Sequence, residues 1–198
     1  MITLLVTGEP GTGKTSLLVN LSERIAVVGV ISRPRVDEFG KRTGIIAVLP
    51  DTGARIELAT VARIPGDARV ARLVAAPPEA PRSSDNTATD GELLIGPWRF
   101  SSAAIATVNA HLSRIAQAGG PHASAPVVLI DEIGPLELLR HAGFLPGLEA
   151  VMRSALPAIV VVRPALVAEL RRTIGSFSES RSPNRIHTVS ISHPTQIE

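Results

Sequence analysis

Lys14 and Thr15 close the run Gly8-Glu9-Pro10-Gly11-Thr12-Gly13-Lys14-Thr15, which has the spacing G-x-x-x-x-G-K-[ST]. Residues of these types in this order can hold a polyphosphate. The glycines let successive backbone N–H groups turn inward, and a helix starting at the lysine adds the positive end of its dipole. Lysine then supplies a mobile cation and threonine a hard oxygen for Mg²⁺. The candidate nucleotide-binding residues are therefore Gly8, Glu9, Pro10, Gly11, Thr12, Gly13, Lys14, Thr15 and Ser16. Lys14 is directed at the β- and γ-phosphates, Ser16 at the α-phosphate and Thr15 at the metal. Glu9 fits beside phosphates only with its carboxylate turned to solvent. The chain has two lysines, Lys14 and Lys41, against eighteen arginines, which makes a chance match to this motif rare.

A second group of acids lies at the end of an apolar run, Val127-Val128-Leu129-Ile130-Asp131-Glu132. A buried strand ending beside a phosphate loop uses its last acid to hold the Mg²⁺ shell, here Asp131, acting through water. The adjacent Glu132 is then placed to orient or deprotonate an attacking water, so Glu132 and Lys14 are the candidate catalytic residues. Developing charge on a transferring phosphoryl group also calls for a further cation, for which Arg33, Arg42, Arg99 and Arg163 are available. Arg33 and Arg163 follow strands, where loops at an open sheet's carboxyl edge gather, and Arg163 is the first choice of the set.

These residues need a scaffold that brings strand ends together. Ile2–Thr7 reads as a buried strand, and Lys14–Ile25 as a helix with Leu17, Leu18, Leu21 and Ile25 on one face. Ala26–Ser32 is a second buried strand. Gly44–Leu49 and Arg55–Ala59 flank the turn Pro50-Asp51-Thr52-Gly53 and predict a β-hairpin. Residues 77–91, rich in Pro, Ser, Thr and Asp, predict a flexible loop within a single domain spanning 1–198. Ser101–Ala118 is helical, capped by Ser101 or Ser102 and ended by Gly119-Gly120-Pro121. A strand at Val127–Ile130, a helix at Phe144–Ala155, a strand at Ala158–Val162, a helix at Pro164–Thr173 and a weak last strand at Arg185–Ile191 follow. This alternation predicts an α/β protein, an open, mostly parallel sheet with helices on both faces and a β-hairpin insertion, and the Gly8–Thr15 motif between its first strand and helix makes the expected class that of the P-loop NTPases.

Composition narrows the classes. The absence of cysteine excludes disulfides and thiolate metal sites. The sequence pI near 9.9 accompanies a formal charge of only +2, since without Tyr or Cys little titrates between His and Lys. The arginines are scattered without aromatic interleaving, so nucleic acid is not an expected partner. No apolar run is long enough for a membrane span, and a strand starting at Ile2 leaves no room for a signal peptide, which makes the cytoplasm the expected location. His111, His122, His141, His187 and His193 lack ligand spacing and read as surface or loop residues. Trp98 and Phe100 read as half-buried core rather than as a wall for a base. A protein partner is left open.

Taken alone, the paired motifs fit a Mg²⁺-dependent nucleoside-triphosphatase, a nucleotide or small-molecule kinase, and a partner-activated nucleotide-binding module. The run Ile130-Asp131-Glu132-Ile133-Gly134-Pro135-Leu136-Glu137-Leu138 resembles the D-E-[IL]-G-[PK]-[ML]-E signature of the THEP-type nucleoside-triphosphatases. Gly8–Thr15 with Ser16-Leu17 is similar to that family's P-loop. Further similar segments are Gly29–Ser32 followed by Gly40-Lys41-Arg42-Thr43-Gly44, then Gly96-Pro97-Trp98-Arg99-Phe100 leading into the next helix, and Val161-Val162-Arg163-Pro164. The resemblance implies hydrolysis of ATP, GTP and other triphosphates to the diphosphate and phosphate, with Mg²⁺ and loose base preference. Glu137, which recurs in the signature, is expected to serve as a structural acid at a helix N-terminus. Residues 77–91 match none of the family's motifs, and Asn184 and Arg185 carry no assigned base-binding role.

Overall fold

The computed structural model describes residues 2–62, 92–119, 125–177 and 185–192. The expected loop at 77–91, Asn184, His122 and His193 lie outside them. Among the described residues nine strands form one sheet. In chain order they are β1 (Ile2–Thr7), β2 (Val27–Val36), β3 (Arg42–Val48), β4 (Arg55–Val61), β5 (Glu92–Ile95), β6 (Trp98–Ser101), β7 (Val127–Ile133), β8 (Ala158–Val162) and β9 (Arg185–Ser190). The order across the sheet is β5-β6-β4-β3-β2-β7-β8-β1-β9. The block β2-β7-β8-β1-β9 is parallel throughout, and β3, β4, β6 and β5 extend it by antiparallel pairing. The expected α/β architecture is present, with a larger antiparallel extension than the single hairpin read from sequence.

Among the described residues five α-helices connect these strands: α1 (Lys14–Ser22), α2 (Ser102–Ala118), α3 (Pro135–Arg140), α4 (Leu145–Arg153) and α5 (Val167–Phe177). Alternation along the parallel strands divides the core into two layers. Leu5, Val30, Ile130 and Val160 face one side, packed with Val108 and Leu112 of α2, Leu148 of α4 and Leu170 of α5. Val6, Ile31, Leu129 and Val161 face the other and meet Leu18 of α1. Gly29 permits the central pairing of β2 with β7: its φ is +112°, and a Cβ there would run into the Leu129 carbonyl oxygen.

Several boundaries differ from the sequence expectation for identifiable reasons. The α1 helix stops at Ser22, whose hydroxyl donates to the Val19 carbonyl, and the chain turns at once toward β2. Leu17 and Ile25, expected on its apolar face, are exposed, Ile25 lying beyond the helix end. Ser101 is the cap of α2, accepting from the Ala104 N–H at 3.2 Å. Gly96-Pro97 turns a hairpin between β5 and β6 instead of leading straight into a helix. Pro164–Leu166 forms a 3₁₀ turn before α5 begins.

Candidate active site

The carboxyl ends of β1, β2, β7 and β8 open on one cavity of about 800 Å³. That is where open α/β sheets gather ligands. The phosphate-loop motif supplies one wall. Gly13, with φ +89°, reverses the chain so that α1 can start at Lys14, a conformation glycine adopts without a steric penalty. Pro10, Gly11, Gly13, Lys14, Thr15 and Ser16 line the cavity. Gly8, Glu9 and Thr12 stand behind them and shape the loop. Lys14 Nζ donates to the carbonyls of Gly8 and Glu9, each at 2.7 Å. The Thr12 hydroxyl donates to the Glu9 carbonyl. Glu9 itself is exposed, as its charge requires.

Opposite the loop, β7 delivers two acids with unlike surroundings. Asp131 is 1 % exposed. Its Oδ2 accepts from Thr15 Oγ1 at 3.0 Å and from the Ser32 N–H at 3.2 Å, joining the two motifs across 116 positions of sequence. Burial pushes its pKa up from 3.8 to about 7, with the neighbouring Glu132 charge adding to the rise. The Thr15 hydroxyl, the Ser32 N–H and Lys14 hold it down. A buried carboxyl with a hydroxyl beside it and a wet cavity in front is a hard-oxygen donor set, and a small divalent cation would relieve the cost of its charge. The residues therefore fit Mg²⁺. No cluster of three or more His, Cys, Asp or Glu occurs among the described residues. Mg²⁺ does not need one, since it keeps water and phosphate ligands.

Glu132 faces the same cavity but is exposed where Asp131 is buried. The register between β7 and β8 slips between Ile130 and Ile133, and Glu132 has a φ of +65°. For a non-glycine residue this left-handed backbone costs about 1–3 kcal/mol, the kind of strain that collects where a side chain has to be aimed. The bulge presents Glu132 to the cavity next to Asp131. Glu132 Oε1 accepts from Arg163 Nη2 at 2.9 Å. Both side chains are about half exposed, so the pair contributes little to stability and chiefly fixes the position of the carboxylate.

Arg163, Arg33 and Arg42 thus reach the cavity, whereas Arg99 pairs with Glu92 at 3.5 Å away from it. Trp98 lines the cavity from β6, and Phe100 packs against the main core, which divides the pair between the two readings weighed for it. Glu137 is buried, with Oε2 accepting from the Gly134 N–H and Oε1 from the Phe144 N–H. Burial raises its pKa while these N–H groups oppose the rise. It holds the start of α3 and the turn into α4 together, the structural task expected of it. His111 departs from expectation: it is buried on α2, with Nε2 3.1 Å from Asp51 Oδ1 in the β3–β4 turn. Its partner lies sixty positions away, beyond any local spacing rule. His141 and His187 are exposed. Asn109 carried no sequence signal either. It donates to the Gly143 carbonyl and accepts from the Gly147 N–H.

No protein-family model matches the chain, and no curated protein matches it by sequence. Solved structures do. The solution structure of a human cancer-related nucleoside triphosphatase superposes with a TM-score of 0.58 at 22% identity, covering 96% of this chain and 89% of that one. The crystal structure of THEP1 from the hyperthermophile Aquifex aeolicus gives 0.57 at 18% identity, covering 96% and 90%. The chain has the THEP-type P-loop fold. That fold carries the resemblance read from the Asp131–Glu137 run through the whole architecture. It places the phosphate loop, Asp131 and Glu132 around one cavity.

Proposed function

We propose that the protein is a Mg²⁺-dependent nucleoside-triphosphatase that cleaves the γ-phosphate of ATP, GTP and related triphosphates with water. The observation that carries this reading is the Thr15–Asp131 contact, which unites the phosphate loop with an acid-bearing strand end and leaves Glu132 beside it. The loop N–H groups and the start of α1 bind the phosphates. Lys14 exchanges the Gly8 and Glu9 carbonyls for β- and γ-oxygens. Thr15 and Asp131 would hold Mg²⁺, which when bound neutralises phosphate charge. Glu132, held at Oε1 by Arg163, accepts the proton of the attacking water, and Arg33 and Arg42 add positive potential at the cavity wall. The nucleoside triphosphatases of similar fold support the same reading.

Phosphate release measured across ATP, GTP, CTP and UTP, with and without Mg²⁺, tests it. Turnover should require the metal and vary modestly with the base, because contacts to phosphates do not read it. In Glu132→Gln, turnover should fall by about 10²–10⁴ with nucleotide still bound. Unchanged turnover in that variant removes Glu132 from the proton-accepting role.

A further inference from the structure

The space beside Glu132 is larger than hydrolysis needs. A second chamber of about 280 Å³ adjoins the nucleotide cavity and shares Ser32, Ile45, Trp98, Glu132 and Arg163 with it. Its remaining walls are mostly apolar side chains, among them Leu58 of β4, Ile95 of β5, Phe100 of β6, Ile105 of α2 and Phe144, with Glu137 the one carboxyl among them. An attacking water occupies about 30 Å³ and wants two to four polar partners, so this chamber has roughly nine times the room and offers few such partners. The chamber is also braced. Both oxygens of buried Glu137 are engaged by backbone N–H groups, and Asn109 ties α2 to the same turn. With both Glu137 oxygens so engaged, the ionisable side chains left to meet a ligand are Glu132 and Arg163, which the chamber shares with the larger cavity.

We propose that this chamber seats the apolar body of a hydroxyl-bearing small molecule, which accepts the γ-phosphoryl group in place of water. The inference rests on the nucleotide site and the role of Glu132 set out above. The hydroxyl of such an acceptor sits beside Glu132. Its oxygen forms the new bond to the γ-phosphorus as the bond to the β,γ-bridging oxygen breaks. The bridging electron pair leaves on the β-phosphate of the nucleoside diphosphate. The hydroxyl proton passes to Glu132 and then to solvent, so alcohol and triphosphate become phosphate ester, diphosphate and one proton. A charged or strongly polar acceptor would have to desolvate against these walls without partners, which selects an aliphatic or aromatic alcohol.

The test uses the full chain with γ-labelled ATP, Mg²⁺ and either benzyl alcohol or 3-phenylpropan-1-ol, with methanol at equal concentration as control. Labelled ester and labelled phosphate are counted separately. Trp98 is the chain's one tryptophan and borders both spaces, so its fluorescence reports occupancy without turnover. The expected result is a saturable ester fraction about tenfold or more above the methanol level, the discrimination an apolar pocket provides, with a matching fluorescence change. Ile105→Phe, which fills the chamber, should lower the ratio of ester to phosphate by about tenfold. Ester no higher than with methanol, while phosphate is still released, overturns the acceptor site and leaves the hydrolase standing. Saturable fluorescence change without ester also overturns it, making the chamber an effector site. Neither phosphate nor ester from any triphosphate overturns the hydrolase reading and the inference with it.

Discussion

Two buried carboxyls six positions apart, Asp131 at the end of β7 and Glu137 in the first turn of α3, answer the same problem in opposite ways. Burial raises the pKa of both. Glu137 commits each oxygen to a backbone N–H, so its surroundings are complete. Both donors to Asp131 fall on a single oxygen, Oδ2, and the residue fronts a cavity. A buried acid with all its oxygens engaged by its own chain is architecture. One with capacity left over, facing a phosphate loop, is equipped for a ligand. Glu132, between them in sequence, belongs to neither class, being exposed and aimed by a backbone bulge.

The contrast can be broken by exchange of roles. Asp131→Asn should cut phosphate release by about a hundredfold or more, since charge at the metal position is worth several kcal/mol, while the melting temperature holds or rises. Asparagine keeps an acceptor for the Ser32 N–H and removes a buried charge. Glu137→Ala should do the reverse, costing about 2–4 kcal/mol in urea unfolding through unpaired N–H groups, with smaller loss of turnover per folded molecule. Equal loss of activity in the two variants would erase the distinction.

The pH dependence sharpens it. A carboxyl whose folded pKa is raised contributes stability that is complete below its ordinary value and fades as pH rises through the folded value. In metal-free buffer, stability should therefore decline as pH rises from 3.8 through about 7, and Asp131→Asn should flatten that slope. Adding Mg²⁺ should restore stability at the alkaline end of the wild-type curve and leave the variant unmoved. Arg163→Gln is the smallest perturbation. It should lower turnover several-fold by freeing Glu132, with less than about 0.5 kcal/mol change in stability, because the pair is half exposed.

The parts legible in the sequence were those whose meaning is local. Gly8–Thr15 and Asp131-Glu132 are motifs of consecutive residues that the fold brings to one cavity, and Ala158–Val162 is an unbroken apolar strand found at its expected boundaries. What escaped depended on distant neighbours. The four-residue strands β5 and β6 are pinned by pairing to β4, and nothing in Gly96-Pro97-Trp98 separates a hairpin turn from the approach to a helix. Burial of His111 depends on Asp51, and the bulge that turns Glu132 depends on its register against β8. The apolar chamber draws its walls from β4, β5, β6, α2 and α3, so no stretch of sequence announces it.

The position of β1 has a consequence for the order of assembly. It carries the phosphate loop, yet its partners on either side begin at Ala158 and Arg185, and the Ile191 N–H donates to the Thr7 carbonyl just ahead of the loop. During synthesis β1 must wait, unpaired and apolar, until Ala158–Val162 and Arg185–Ser190 emerge. Contacts of such high sequence separation are slow to close. The Gly8–Thr15 loop is thus among the last features to form, and on the proposed function a ribosome-bound chain truncated before β8 should neither retain nucleotide nor protect β1 from protease or chaperone.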